Sequence, residues 1–272
     1  MLENRKTKPV LAVVLFALFF QNALATSTSS ISAAAVGTVP SYADLLNASI
    51  DRHRTNEKLD EPDEALQLIS ANSGQTDPYE ITAHLKRDFP SIDPGAKIRV
   101  LPIMRENLIL KGTDYTRLVT SLTPLLKFYG LERKVIPLLY KSEQPVAALC
   151  YPNGIVFSTR QLDLLNNDEL ESLAAHEIAH LVGYDLFKTA IDQKNKAAIR
   201  LIELFCDAAA ASTLQAMGKN PRALLNALYK TQQILELEYG EQDRKGQDHP
   251  TLSQRDQLNK ELVRRFGLLA RR

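Results

Sequence analysis

The sequence predicts a mostly helical α+β fold with a small β-sheet beside one central helix. Apolar residues recur at helical spacing towards both ends of the chain, and the strand-like runs are concentrated between residues 96 and 159. The two kinds of segment therefore do not alternate regularly. Helices, a small sheet and more helices are typical of the α+β class, whereas regular alternation is typical of α/β folds.

The composition is that of an ordinary globular protein, because 44% of the 272 residues are hydrophobic and 24% are charged. This length has room for one large domain with a helical extension. The formal net charge is +1, and no basic patch interleaved with aromatic residues is present in the sequence. These features exclude the strong positive field that nucleic-acid-binding proteins use, so we expect no nucleic-acid partner.

The N-terminus has the three-part layout of a secretory signal peptide over residues 1–25. Cationic residues come first, an apolar run over residues 10–20 follows, and the stretch Ala-Leu-Ala ending at Ala25 provides a cleavage signal. The apolar run is shorter than the ~20 residues of a transmembrane helix. We expect an exported protein, periplasmic or alternatively secreted, with no transmembrane segment in the mature chain. An uncleaved N-terminal anchor is the alternative to a signal peptide.

Residues 26–40 are small and polar and predict a linker, and residues 41–112 predict an N-terminal helical extension of unknown role. Helix starts are marked by Pro62 and Pro78, each of which follows an acidic residue. The predicted helices cover residues 41–53, 61–71 and 77–89, and the predicted strands cover residues 96–104 and 106–112. The extension either docks on the rest of the chain, which we favour, or covers a cleft in the second domain until it is removed.

Residues 113–272 predict the second domain. A helix over residues 114–130 stops at Gly130 and contains Pro124, which can kink it. Predicted strands cover residues 134–141, 145–151 and 154–159, with a hairpin turn between the last two. Predicted helices cover residues 168–182, with Asn167 as cap and Gly183 as stop, and then residues 194–217, 221–239 and 251–272.

The helix over residues 168–182 carries a metal-binding motif. His176 and His180 stand about one helical turn apart, with Glu177 beside the first, among apolar neighbours. Two imidazoles on one helix face can reach one ion, each through a nitrogen at ~2 Å. The H-E-x-x-H spacing is the zinc-peptidase signature, with Glu as general base. An exposed polar helix face is the alternative, and the apolar neighbours argue against it.

A catalytic zinc needs a third protein ligand. The residue six positions past His180 is a leucine, which excludes the metzincin pattern of three histidines. Further on, Glu203 and Asp207 stand four apart on an apolar helix, where buried carboxylates need compensation. We expect Glu203 as third ligand and Asp207 as hydrogen-bond acceptor from a ligand histidine, preferably His176. An ion pair with Arg200 or a nearby lysine is the alternative.

A polar loop contributes His249, and Arg255 follows a little further along. Either side chain, if it lies near the zinc, can stabilise the oxyanion of a tetrahedral intermediate. A loop histidine is equally often merely solvated. From the residues alone, both readings of His249 stay open.

The three motifs H-E-I-A-H, E-L-F-C-D and H-P-x-x-x-x-R occur in this order over residues 176–255. In this they resemble the HtpX-like and CaaX-prenyl-protease-type zinc metallopeptidases, which are gluzincins. The resemblance covers about residues 114–272 and implies a zincin-like metalloprotease domain with one Zn²⁺. It implies zinc ligation by His176, His180 and Glu203, general-base catalysis by Glu177, a catalytic role for His249, and positions behind the ligands for Asp207 and Arg255.

Many members of the resembled group carry transmembrane helices, and this chain looks more like the exported bacterial members linked to envelope quality control. The resemblance thus implies a zinc endopeptidase for unfolded or misassembled exported proteins, acting through water activated by zinc and Glu177. The substrate is expected to lie as an added β-strand along an edge strand. That strand is either the one containing Ala147, Ala148 and Leu149 or the one over residues 154–158.

Several alternatives stay open. The protein is an endopeptidase or a zinc-holding, chaperone-like binding module with little turnover. Cys150 and Cys206 either form a disulfide, which an exported protein permits, or stay free. The basic C-terminal residues 261–272 either contact an anionic membrane surface peripherally or belong to a packed helix. The sequence does not define the oligomeric state.

Overall fold

A computed structural model of the chain describes residues 40–54, 61–71, 77–92, 106–142, 148–151, 153–239 and 249–266. The helices are α1 Tyr42–Arg54, α2 Glu61–Ala71, α3 Pro78–Asp88, α4 Thr113–Tyr129, α5 Thr159–Leu164, α6 Asn167–Ala179, α7 Tyr184–Asp192, α8 Lys196–Ala216, α9 Ala223–Tyr239 and α10 Leu252–Phe266. The strands are β1 Leu108–Ile109, β2 Ile136–Tyr140, β3 Leu149–Tyr151 and β4 Gly154–Ser158. The predicted signal peptide, most of the linker, the strand over residues 96–104 and residues 267–272 lie outside the described residues.

The predicted α+β class is confirmed, since helices surround a single 4-stranded mixed sheet with the order β1-β2-β4-β3. Strand β2 pairs with β1 in antiparallel and with β4 in parallel orientation, so that Leu138 lies opposite Val156. Strands β3 and β4 form the predicted hairpin, with Cys150 opposite Ile155. Strand β3 is therefore an outer strand of the sheet, and it lies next to α6.

Helix α8 lies between two apolar clusters. The first cluster joins α8 to α1, α2, α3 and α10, with Phe205 and Leu258 among its buried side chains. The second joins α8 to the sheet, α4 and α6, with Phe157 and Ile178 among its buried side chains. Consecutive small residues on α8, such as Ala210, allow both layers to approach closely. The two clusters thus position α6 and α8 side by side in the middle of the molecule.

The described N-terminal helices agree with the predicted ones to within two residues at each end. Asp77 caps α3 by accepting a hydrogen bond from the Tyr79 backbone N–H at 2.9 Å. At the other end of α3, the Asp88 carboxylate accepts from the Tyr42 N–H at 2.6 Å and ties α3 to the start of α1. All three helices pack against α8, which agrees with the docking alternative.

Helix α6 differs from its prediction at both ends. Its cap is Asn166 rather than Asn167, because Asn166 has a glutamate, Glu169, three positions later and forms a reciprocal capping box with it. The helix ends at Ala179, and His180 is its C-cap, since the following backbone tightens into a turn. Gly183 was expected to end this helix, but it instead directly precedes α7.

Helix α7 was not predicted. The residue before it is Gly183, which makes no side-chain cap, and no proline marks its start.

Elsewhere the prediction holds better: α4 is continuous through Pro124 and ends at Gly130, whose φ of 68° is left-handed. Among the described residues, no helix is both long and apolar enough to cross a membrane.

Candidate metal centre

Helix α6 is fixed at its N-terminus by its cap and by two ion pairs. The Glu169 carboxylate accepts from the Asn166 N–H at 2.8 Å and also pairs with Lys230 of α9 at 2.7 Å. Two residues further along the helix, Glu171 pairs with Lys219 in the turn after α8. Both glutamates are buried, so these contacts fix how α6 is rotated against α8 and α9. The rotation in turn determines which way the histidines of α6 point.

Three side chains from α6 and α8 bring donor atoms to one point. The Nε2 atoms of His176 and His180 lie 3.2 Å apart. Glu203 of α8 places Oε2 3.5 Å from the first of these nitrogens and Oε1 3.4 Å from the second. All three residues are buried. The cluster thus joins the two separate sequence motifs that predicted it.

The separations fit a zinc ion. Ligand atoms ~2.0–2.1 Å from a tetrahedral zinc lie about 3.3 Å from one another. The separations among the donors of His176, His180 and Glu203 range from 3.2 to 3.5 Å. Two imidazoles and a carboxylate also suit zinc chemically, and three protein ligands leave a fourth position open, as in catalytic sites. Both the types of donor atom and their separations therefore fit a zinc ion.

Asp207 and Arg255 form a network behind the cluster. The Nδ1 atom of His176 lies 2.8 Å from Oδ1 of Asp207, which is the pairing expected from the sequence. Arg255 of α10 donates from Nη1 to both oxygens of Asp207, at 2.5 and 2.6 Å, and from Nη2 to Glu203 at 3.0 Å. The guanidinium is thereby occupied by two carboxylates. Arg255 therefore holds Glu203 and Asp207 in place and does not point freely towards an oxyanion.

Charge compensation makes this buried network possible. Burial alone would raise the pKa of Glu203, but the imidazoles of His249, His176 and His180 outweigh it and hold the pKa well below its usual range. Burial likewise opposes a charge on His176, but Asp207 and Glu203 outweigh burial and raise its pKa. The alternative of a Glu203–Arg200 ion pair is wrong, because Arg200 pairs with Glu61 instead.

His180 is held differently from His176. Among the described residues, no group forms a hydrogen bond with the buried Nδ1 of His180. Its ring instead packs on Phe187 of α7, with 4.6 Å between ring centroids, and edge-on against His176 at 4.9 Å. Sequence reasoning missed Phe187 because it missed α7. The apolar face of residues 184–191 was the signal that could have revealed the helix.

Glu177 lies beside the cluster and is buried. Burial raises the pKa of Glu177 to about 8, and the negative charge of Glu203 adds to this rise. The imidazole of His176 and the backbone N–H of Cys150, which donates to the Glu177 carboxylate, act in the opposite direction. A pKa near neutrality suits a group that both takes up and delivers a proton. The bond to Cys150 also places the carboxylate next to strand β3.

The sheet restricts where an added strand can bind. Strand β4 is paired on both sides, by β2 and β3, so the proposal that residues 154–158 form an edge strand is wrong. Strand β3 has the outer position and begins at Leu149. Ala148 is buried just before it, and Ala147 lies outside the described residues. Binding of substrate along β3 stays a prediction.

His249 lies beside the cluster, just before α10. Its Nδ1 atom is 3.4 Å from Oε2 of Glu203, and 43% of its side chain is exposed. This is the most accessible of the histidines near Glu203, so it can face a bound ligand while it touches the cluster. The structure thus places His249 beside the cluster, a placement that the sequence alone left open. The catalytic role of His249 stays a prediction.

The two cysteines are free thiols, Cys150 partly buried on β3 and Cys206 buried on α8. The structure therefore contains no bond between them, although the sequence allowed one. Burial raises the pKa of both thiols well above the usual range, which makes them unreactive. Neither sulfur belongs to the metal-binding cluster.

Comparison with known proteins finds one family that resembles the part of the chain that carries this centre. Residues 117–245 match peptidase family M48, and the matched range contains His176, Glu177, His180, Glu203 and Asp207. Helices α1–α3 and α10 lie outside the matched range. No curated protein and no solved structure matches the chain. Over residues 117–245 the chain is therefore similar to peptidase family M48, a family of zinc-dependent metallopeptidases.

Proposed function

We propose that the protein is a zinc-dependent endopeptidase that cleaves exported proteins when they are unfolded or misassembled. The observation that carries this proposal is the buried cluster of His176, His180 and Glu203, whose donor atoms are spaced as zinc ligands are. The match of residues 117–245 to peptidase family M48 supports polypeptides as substrates. The outer position of β3 beside Glu177 supports extended backbone, rather than a folded surface, as the form that binds.

Each polar residue of the site has a separate task in this proposal. When bound, zinc supplies a Lewis acid that lowers the pKa of water and polarises a carbonyl group. Glu177 takes up the proton of the attacking water and later delivers it to the leaving amine. His249 donates a hydrogen bond to the oxygen on which negative charge develops. Asp207 and Arg255 hold His176 and Glu203 in the orientation that ligation requires.

Substrate binding along β3 follows from its outer position in the sheet. An extended peptide can add along the outer side of β3 through backbone hydrogen bonds, which depend little on side-chain identity. Unfolded proteins expose such backbone and folded proteins do not. Broad preference among unfolded sequences is therefore expected. Mass spectrometry of the products would show internal cleavage sites if the enzyme is an endopeptidase.

Cleavage of an unfolded protein tests the proposed activity. The purified protein is incubated with reduced, alkylated casein, with and without a zinc chelator, beside the variant Glu177→Gln. We expect cleavage by the wild type, loss of cleavage with chelator, and restoration by added zinc. Glu177→Gln is expected to retain zinc and to lose at least about 10²-fold in rate, because it cannot accept the proton. Undiminished turnover in this variant would exclude the role of Glu177.

Export is a separate part of the proposal and rests on residues 1–25. Cell fractionation after expression in a Gram-negative host, followed by N-terminal sequencing of the product, tests it. We expect the protein in the periplasm, with its first residue after Ala25. A product that starts at Met1 in the cytoplasm would refute the prediction of export while leaving the proposed peptidase activity untouched.

A further inference from the structure

One carboxylate outside the region matched to peptidase family M48 links three helices. Glu61 is the first residue of α2 and only 12% of its side chain is exposed. It accepts from Nε of Arg200 at 3.0 and 2.9 Å and from Nη2 of Arg200 at 2.7 Å. It also accepts from Nε2 of Gln254 at 3.0 Å. Glu61 therefore connects α2 to both α8 and α10.

The two partners of Glu61 stand next to residues of the metal centre. Arg200 precedes Glu203 on α8 by about one helical turn. Gln254 directly precedes Arg255 on α10. The Glu61 carboxylate thus connects the helix that carries Glu203 to the helix that carries Arg255, from a point just outside the centre.

The hydrogen bonds of Arg255 require a particular position of α10 relative to α8. Its guanidinium reaches Asp207 at 2.5 Å and Glu203 at 3.0 Å only when α10 keeps its position along α8. The apolar side chains that α10 buries, Leu258 and Leu262, favour contact with α8 but tolerate small sliding movements. A charge-assisted, forked hydrogen bond is directional and fixes the position much more narrowly. Glu61 supplies such a bond to the same two helices, about one turn before Glu203 along α8.

We propose that Glu61 is a positioning residue for the metal centre. By holding Arg200 and Gln254 together, Glu61 keeps α10 in the position along α8 in which Arg255 holds both Asp207 and Glu203. The N-terminal helices are accordingly part of the scaffold of the metal centre and not a segment whose removal activates the enzyme. This inference rests on the proposed function of His176, His180 and Glu203 as the zinc site.

The zinc dissociation constant tests this inference directly. It is measured by competition with a chromophoric chelator for the wild type, Glu61→Ala and the conservative variant Glu61→Gln. Circular dichroism selects a temperature at which each variant is folded. Loss of an outer partner of a metal ligand weakens affinity by about 10–100-fold, and we expect about 10-fold for Glu61→Ala. Glu61→Gln keeps one acceptor oxygen and is expected to lose less zinc affinity than Glu61→Ala. If Glu61→Ala does not fold, Glu61→Gln is the variant that tests the inference.

Arg52→Ala provides the matched control. It removes an ion pair, at 2.9 Å to Glu64, that joins α1 to α2 within the N-terminal helices, and neither of these helices carries a residue of the metal centre. We expect unchanged zinc affinity for this variant. The exchanged pair Glu61→Arg with Arg200→Glu restores the link between α2 and α8, and the introduced arginine can donate to the amide oxygen of Gln254 on α10. This double variant is expected to recover most of the affinity that Glu61→Ala loses.

The outcomes separate this inference from the proposed function. If the folded wild type binds no zinc, the proposed function fails and this inference fails with it. If the wild type binds zinc and Glu61→Ala binds it equally tightly, only the positioning role of Glu61 is overturned. Equal weakening by Glu61→Ala and Arg52→Ala also overturns it, because general loosening of the N-terminal helices then explains the loss.

Discussion

Asp207 lies directly behind His176, with Oδ1 of the carboxylate 2.8 Å from Nδ1 of the imidazole. This contact fixes the ring so that its other nitrogen, Nε2, faces His180 and Glu203. A carboxylate in this position also makes the imidazole a better electron donor to a metal. We therefore expect the affinity of the cluster for zinc to depend on Asp207, although Asp207 is not one of the three expected ligands.

Replacement of Asp207 tests this dependence. Asp207→Ala is expected to weaken zinc binding by about 10–100-fold, because His176 loses its orienting partner. It also leaves Arg255 with one carboxylate instead of two. Asp207→Asn keeps an acceptor for His176 and is expected to lose less zinc affinity than Asp207→Ala. Competition with a chelator gives both dissociation constants, and unchanged affinity in Asp207→Ala would show that the contact has no role in metal binding.

Phe187 takes the corresponding place for His180, whose ring it contacts with 4.6 Å between centroids. Packing of one ring on another contributes about 0.5–1.5 kcal/mol beyond the buried area. Phe187→Leu keeps an apolar side chain and removes this ring contact, so we expect a several-fold faster release of zinc to excess chelator. Phe128→Leu, on α4, removes a ring pair with Tyr129 and is the control. Equal release rates for Phe187→Leu and the wild type would contradict the proposed support of His180.

His249 is expected to act in the reaction rather than in metal binding, since its side chain is 43% exposed beside Glu203. Loss of one hydrogen-bond donor to a developing oxyanion lowers kcat by about 10²–10³-fold. We expect His249→Ala to lose kcat in this range while KM and zinc content stay close to those of the wild type. Steady-state kinetics and metal analysis on one preparation distinguish the two roles. A variant that loses its zinc would show that His249 mainly supports Glu203.

Lys219 and Glu171 provide a test of pH dependence away from the metal. Burial raises the pKa of Glu171, and the Lys219 ammonium lowers it in part. In Lys219→Met this pKa rises further, so the ionised Glu171 destabilises the fold more at neutral pH. Below the pKa that Glu171 has in the unfolded chain, its carboxyl is protonated in both the folded and the unfolded protein. The stability difference between the wild type and Lys219→Met then disappears. The wild type is therefore more stable than the variant above neutrality, and this advantage is lost as pH falls.

Because Lys219 is partly exposed, we expect a difference of about 1–2 kcal/mol in the free energy of unfolding at pH 7.5. Urea unfolding at pH 7.5 and at pH 4.5, with chelator throughout, measures this difference without a contribution from metal binding. Lys127→Met, at an exposed position of α4, is the control. A difference that grows towards pH 4.5 would contradict the sign of this argument.

Local patterns in the sequence were sufficient to predict most of the metal-binding cluster. His176 and His180 are four residues apart on one helix, and a buried helix containing Glu203 and Asp207 needs a partner for its charges. The cap of α6 was predicted wrongly as Asn167, although the sequence contained the signal for Asn166, which has a glutamate three positions later. Each of these signals lies within a few residues of sequence, where helical geometry determines which side chains meet.

Contacts between distant segments could not be predicted in this way. Glu61 meets Arg200 across 139 positions and Gln254 across 193 positions, and no periodicity in the sequence relates them. The outer position of β3 likewise depends on the parallel pairing of β2 with β4, which only the folded chain defines. Phe187 was missed for a local reason, because Gly183 suggested an end where a new helix begins.

The zinc content of the purified, folded protein tests the central claim most directly. It is measured by plasma mass spectrometry beside His176→Ala, with circular dichroism to show that both are folded. We predict about one zinc per chain for the wild type and almost none for His176→Ala, since two remaining protein ligands hold zinc poorly. A folded wild type without zinc, or equal zinc in both proteins, would contradict the assignment of His176, His180 and Glu203 as the metal site.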